Sequence, residues 1–393
     1  MLSARPSVRA LGASRIRELM NAGLGREDIL AFWVGEPDEP TPAFIREAGI
    51  RAIEAGEVFY AHNLGLPALR EAIAAYVSRL RRPTGARNIA VTSAGVNALM
   101  LVSQLLLDPG DRVVEVVPLW PNLQEIPRIL GARVETVPLA FSPAGWSLDL
   151  DRLLDALVPG TRALYLNSPN NPTGWVMPRE AQRALLAHCR RHGIWVLADD
   201  AYERLYFAGG AAPALLELCE DGDRVVSANT FSKSWLMTGW RLGWLVVPEV
   251  LVDVIERLAQ NLFICPSTVS QHAALACFEA ESLAEYERRR AQFKARRDYF
   301  IPQLQALELP VPVVPDGAFY AWADCSGWCE RLKVPGSWEL AFEIMQRAHV
   351  AITPGRDFGA ADTARFIRFS TASSMQQLQL AVDRLRAMRE AIG

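Results

Sequence analysis

Lys233 stands between an apolar run and Leu236-Met237, inside Ser227-Ala228-Asn229-Thr230-Phe231-Ser232-Lys233-Ser234-Trp235. A lysine at the end of a buried strand loses hydration. Its pKa then falls, leaving a neutral amine able to attack a carbonyl. A surface lysine in a loop is the other reading of the same residues. Arg241 follows eight residues later in Thr238-Gly239-Trp240-Arg241-Leu242-Gly243-Trp244. Burying a guanidinium there is costly unless a fixed anion pairs with it, and either a phosphate or an internal carboxylate would serve.

Asp199 ends the apolar run Val196-Leu197-Ala198 and is followed by Asp200, Ala201 and Tyr202. Ligands of open α/β sheets bind at the carboxyl ends of strands, so Asp199 is placed to face a cationic ring nitrogen with Tyr202 in reach of the same ligand. Capping a helix is the alternative for either aspartate. Leu166-Asn167-Ser168-Pro169-Asn170-Asn171-Pro172-Thr173-Gly174 also leaves a strand. Turn chemistry explains its prolines and glycine, whereas consecutive asparagines at a strand end offer donors and acceptors to a ligand. Val91-Thr92-Ser93-Ala94-Gly95-Val96-Asn97 runs from strand to helix through a glycine. Backbone N–H groups at such a helix start make an anion site.

These segments need a frame that brings strand ends together. Short apolar runs at 89–92, 112–117, 134–138, 162–167, 194–198, 225–228 and 241–247 predict seven strands. Amphipathic stretches at 97–107, 121–130, 148–157, 178–192 and 248–260 predict helices between them. This alternation is that of an α/β protein: a mostly parallel seven-stranded sheet covered by helices, forming a large domain over 45–285. A long charged helix near 271–309 links it to a smaller α+β domain assembled from 1–44 and 286–393. Within the latter, helices at 338–347 and 375–392 flank strands at 350–353 and 366–369.

Composition removes several classes. A net charge of −3 provides no footprint for nucleic acid or an acidic membrane. The six cysteines lack CxxC spacing, so no metal site is expected and the thiols read as reduced. The N-terminus lacks the apolar core of a secretory signal, and no apolar run is long enough to span a bilayer. A cytoplasmic protein is expected. The chain lacks GxGxxG and GxxxxGK, which disfavours dinucleotide and ATP binding, and with them a nicotinamide-dependent dehydrogenase.

Taken in order and spacing, the motifs resemble those of the class I/II aminotransferases, fold-type-I pyridoxal-phosphate enzymes of the aspartate aminotransferase superfamily. The resemblance runs from Gly35-Glu36-Pro37-Asp38 to Arg368. It rests on Ser168–Gly174, on Asp199-x-Ala201-Tyr202, on Thr230-Phe231-Ser232-Lys233, on Arg241 and on Arg368-Phe369-Ser370. It implies a pyridoxal 5'-phosphate cofactor held in a Schiff base by Lys233, which later shuttles the proton. It further implies that Asp199 pairs with the pyridine nitrogen so that the ring serves as an electron sink. Tyr202 and Asn171 would bond the phenolic oxygen, and Trp120 would stack on the ring. Thr230, Arg241 and the backbone at Ala94, Gly95 and Val96 would cradle the phosphate. Tyr60 would reach the phosphate of a neighbouring subunit, making a homodimer with shared sites. Arg368 would clamp the substrate α-carboxylate, assisted by Asn171, Trp120 and the backbone at Gly35.

The implied reaction moves an α-amino group from an amino acid to a 2-oxo acid. Ala94 and Val96 stand where many relatives carry a hydroxyl or a lysine, so the cradle relies on main-chain donors. The apolar segment Asn261-Leu262-Phe263-Ile264-Cys265-Pro266, expected near the site, tilts the reading toward a neutral, aliphatic or aromatic donor. The same motifs also fit a β-eliminating C–S lyase or a specialised amino-acid biosynthetic enzyme. A non-catalytic ligand sensor is disfavoured, because about 30 residues before Gly35 leave no room for a DNA-binding domain.

Overall fold

A computed structural model describes residues 5–12, 15–142, 145–359 and 362–393. Its large sheet consists, among the described residues, of β1 (Ile89–Thr92), β2 (Arg112–Val117), β3 (Arg133–Ser142), β4 (Gly145–Leu148), β5 (Thr161–Asn167), β6 (Trp195–Asp199), β7 (Val225–Thr230) and β8 (Gly243–Val246). The spatial order is β1-β8-β7-β6-β5-β2-β3-β4. Strands β7, β6, β5, β2 and β3 pair in parallel. β8 runs antiparallel to both of its neighbours, and β4 to β3.

The apolar runs are continuous because both faces of the sheet are covered. In β2, Val113 and Val117 join one hydrophobic cluster while Val114 and Val116 join that on the opposite face; in β5, Ala163 and Tyr165 oppose Leu164 and Leu166 in the same way. β4 is one strand more than the periodicity predicts. It folds back on β3, and Trp146 packs edge-on against Phe141 at 5.2 Å. The last strand begins at Gly243 rather than 241 because Arg241 takes a left-handed conformation, with φ 52°, that no strand residue adopts.

The helix expected over 271–309 is interrupted. Ser267 caps Thr268–Leu275, a 3-10 turn follows at Ala276–Phe278, and the 27-residue helix Ala280–Ala306 then begins. The carbonyl of Cys277 accepts from the indole of Trp235 at 3.0 Å, a tertiary partner that local periodicity does not reveal. A smaller antiparallel sheet orders β9 (Tyr320–Asp324), β11 (Phe366–Ser370) and β10 (Thr353–Pro354), with β11 central. Arg368 lies opposite both Trp322 and Thr353. Leu30–Ala31 pairs with Val350–Ala351, and Phe32 stacks on Phe300, so the start of the chain packs with its end. Among the described residues no helix is long and apolar enough to cross a membrane.

Candidate active site

The carboxyl ends of β5, β6 and β7 stop side by side, because Asn167 pairs in register with Asp199 and Asp199 with Ala228. They open into a cleft of about 930 Å³ closed on its far side by the smaller sheet. Gly35, Gly95, Val96, Trp120, Asn171, Asp199, Tyr202, Thr230, Lys233, Arg241 and Arg368 all line it. Residues scattered over more than 300 positions thus meet in one place. Asn167 ties two of the segments, its amide donating to the Asp199 carbonyl at 3.0 Å while its oxygen accepts from Asn171 N–H at 2.7 Å.

Lys233 lies in the short helix Phe231–Ser234 that Thr230 caps, its hydroxyl accepting from Ser232 N–H at 3.1 Å. The surface-loop reading fails: the side chain is half-buried, lines the cleft, and donates from its amine to the Gly35 carbonyl at 2.6 Å. Burial, with the positive fields of Arg368 and Arg241, pulls the amine down to about 8, while Glu36 and Asp199 oppose that fall. Below pH 8 the protonated, unreactive form predominates. The rate at which apoenzyme captures free pyridoxal phosphate covalently is therefore expected to rise about tenfold per pH unit up to pH 8 and then level off. Stopped-flow absorbance tests this. A rate still climbing tenfold between pH 9 and 10 would indicate an ordinary lysine.

Asp199 is buried and accepts from Ala201 N–H at 3.1 Å. Burial pushes its carboxyl up to about 6, with that hydrogen bond and the Lys233 charge acting in the opposite direction. A buried carboxylate in this state gains from a cation placed beside it.

The turn before the helix Gly95–Leu106 is tight. Ala94 has φ 114°, and a Cβ added at Gly95 would come within 3.0 Å of the Thr230 Cβ. The helix start therefore presents main-chain N–H groups directly to the cleft beside Thr230. Ala94 itself lies behind this surface, buried. Arg241 is not the buried cation expected: it is exposed, and it donates to the Thr238 carbonyl at 2.5 Å. The turn that sets its positive φ carries it to the rim, where solvent offsets the cost of its charge.

Tyr60, expected to serve a neighbouring subunit, does not line the cleft of its own chain and is 82% exposed. Nor do residues 261–266, which pack instead beside the Tyr60 segment: Asn63 donates to the Ile264 carbonyl at 2.7 Å, and Thr268 to the Phe59 carbonyl at 2.6 Å. Their apolar character consequently says nothing about the wall of this chain's own cleft.

Arg368 is held by Asn171 Oδ1 at 2.7 Å, the Trp33 carbonyl at 2.8 Å and the Thr353 hydroxyl at 3.2 Å. Its guanidinium lies 4.3 Å from the centre of the Tyr320 ring and 5.1 Å from that of Phe358. Gly35 meets Lys233 rather than Arg368, and it cannot carry a side chain: an added Cβ would lie 2.0 Å from the Tyr320 hydroxyl. Sequence reading misses Trp33, Thr353, Asn167 and Tyr320 as site residues. Trp33 contributes a carbonyl, which has no side-chain signature. Tyr320 reads only as a strand residue until its sheet partner is known.

A cleft with a poised amine, a buried carboxylate, a helix start and a clamped arginine is the arrangement that the sequence motifs lead one to expect. The model of the family "Aminotransferase class I and II" matches residues 27–385. The chain belongs to this family. It is 32% identical to a probable aspartate/prephenate aminotransferase of Aquifex aeolicus, across 99% of this chain and 97% of that one. An arginine–pyruvate transaminase of Pseudomonas aeruginosa is 34% identical, across 91% and 89%. The structure of Thermus thermophilus aspartate aminotransferase with maleate superposes with a TM-score of 0.89 at 31% identity, covering 98% of this chain and all of that one. The aminotransferase uses pyridoxal 5'-phosphate. Its cleft fits that group: Asp199 supplies the buried carboxylate a pyridinium requires, and Gly95 leaves the helix N-terminus uncovered for a phosphate.

Proposed function

We propose that Lys233 is the residue that holds the cofactor and moves the substrate proton as this enzyme transfers an amino group from an amino acid to a 2-oxo acid. The observation that carries the reading is the lowered pKa of Lys233 in a cleft shared with Asp199 and Arg368. When bound, pyridoxal phosphate supplies an electron sink for the charge left on the substrate Cα. In this reading Asp199 keeps the ring nitrogen protonated, and Tyr202 with Asn171 bonds the phenolic oxygen. Trp120 covers the ring. Thr230, Arg241 and the N–H groups at Gly95 and Val96 take the phosphate, with Ala94 shaping the turn. Arg368 receives the α-carboxylate, and with Trp120 and Asn171 sets its orientation. The Gly35 carbonyl holds the Lys233 amine at the edge of the substrate space.

Leu11, Ile16, Met20, Val34 and Trp120 give the cleft an apolar stretch that supports a neutral, aliphatic or aromatic donor, although Arg17 and Arg356 line the cleft as well. A half-reaction tests the chemistry: holoenzyme mixed with a single amino acid and no acceptor should shift the visible cofactor band once, stoichiometrically, releasing one 2-oxo acid per site. Sustained release of pyruvate from a cysteine conjugate without acceptor would establish a lyase instead.

We propose a homodimer with shared sites as well. Val58, Phe59 and Tyr60 are 57%, 80% and 82% exposed, an apolar surface costly to leave in water, and Leu262 and Ile264 extend it. Mixing inactive Tyr60→Ala chains with inactive Lys233→Ala chains should restore activity, since one site of each hybrid would be intact. Failure of hybrids to recover activity would place Tyr60 outside the neighbouring site. The packing of Leu30–Ala31 on Val350–Ala351 supports a small domain of 1–44 and 286–393 beside a large one of 45–285. The cytoplasm suits Cys325 and Cys329, whose sulfurs share a hydrogen bond at 3.9 Å and form no disulfide.

A further inference from the structure

Tyr320 touches three parts of the site at once. Its hydroxyl lies 2.6 Å from that of Tyr202, its ring carries the Arg368 guanidinium at 4.3 Å, and its hydroxyl fills the space that a side chain at Gly35 would need. Both tyrosines are buried and line the cleft. Phe319 braces the pair, lying 5.5 Å from Tyr202 and 5.0 Å from Tyr320.

We infer that Tyr320 is a positioning residue that links carboxylate binding at Arg368 to the hydrogen bond Tyr202 gives the cofactor. The inference rests on the roles proposed above for Tyr202 and Arg368. One proton lies between the two tyrosine oxygens. When Tyr202 donates its own proton to the phenolic oxygen, the proton between the tyrosines belongs to Tyr320, which donates to the Tyr202 oxygen. A hydroxyl that accepts one hydrogen bond is a stronger donor in the next. The Arg368 charge over the Tyr320 ring draws electron density from its hydroxyl and strengthens that first donation. A substrate carboxylate neutralises Arg368 and weakens it. Tyr202 then stabilises the phenolic anion less, and the cofactor nitrogen at Lys233 becomes more basic as substrate arrives.

The test is a pH titration of the visible cofactor band in holoenzyme. Tyr320→Phe keeps the ring under Arg368 and removes only the hydroxyl. It should raise the titration midpoint by about half to one pH unit. In a Tyr202→Phe background the same substitution should leave the midpoint in place, since the relay is already cut. Saturating 4-methylpentanoate, a carboxylate with no amino group, should raise the midpoint of the unaltered enzyme and raise that of Tyr320→Phe by less. Tyr320→Leu, which also removes the ring, should raise the KM for amino acids about tenfold. A Tyr320→Phe midpoint equal to that of the unaltered enzyme, or equal shifts in the two backgrounds, overturns the inference. A lower melting temperature with an unmoved midpoint does so too, leaving Tyr320 a purely structural role. If Tyr202→Phe and Arg368→Ala themselves change neither midpoint nor KM, the underlying site assignment has failed instead.

Discussion

Lys233→Ala protein should retain its fold and lose transamination, with kcat falling by about 10²–10⁴-fold from the missing proton transfer alone. Losing the covalent hold on the cofactor adds to that loss. The fold survives because the Lys233 side chain ends in the cleft, where its amine donates to the Gly35 carbonyl rather than filling a core. Stability should even rise slightly below pH 8, where the native chain bears the cost of a buried charge. The lysine is neutral in the folded state above about 8 but charged in the unfolded chain up to about 10.4, so the native penalty fades as pH climbs through that window. Borohydride reduction of holoenzyme followed by peptide mass analysis reads the assignment directly. A stable adduct still forming in Lys233→Ala would place the covalent chemistry at another residue, and Lys294, in an ion pair with Asp298 on the long helix, is not positioned to take over.

Arg368→Ala should raise KM for both the amino acid and the 2-oxo acid by about 10²–10⁴-fold and leave cofactor occupancy nearly unchanged. Each hydrogen bond to a charged group contributes about 1.5–3 kcal/mol, and a carboxylate takes two of them from one guanidinium. Tyr320, Phe358 and three acceptors hold the arginine in place, so little ordering remains for the substrate to impose. Arg368→Lys keeps the charge without the fork and should recover only part of the loss. Steady-state kinetics beside cofactor absorbance separate binding from occupancy. Unchanged KM values would remove Arg368 from substrate recognition.

Local chemistry made much of this protein legible before any fold was known. A parallel strand buried on both faces is written as an uninterrupted apolar run, so β2, β5, β6 and β7 and the polar residues ending them are visible in one dimension. Asp199 and Lys233 stand out for that reason, each a charge at the edge of a buried strand. Helix starts carry their own signals too, and the turn at Ala94-Gly95 shows itself by its glycine.

Other features depend on which distant segments meet. Tyr202 and Tyr320 are 118 residues apart and Arg368 reaches the carbonyl of Trp33 across 335, separations at which local patterns carry no information. Arg241 reads as buried from its apolar neighbours, but a left-handed turn puts it at the rim. In the break before Ala280 the Cys277 carbonyl meets an indole 42 residues away, and the apolar residues 261–266 lie outside this chain's cleft, beside the Tyr60 segment. Residue types and spacing were sufficient to name the chemistry, since a strand end needs no partner to be recognised. How the groups are coupled is a matter of orientation across sheets and loops, and that comes from packing.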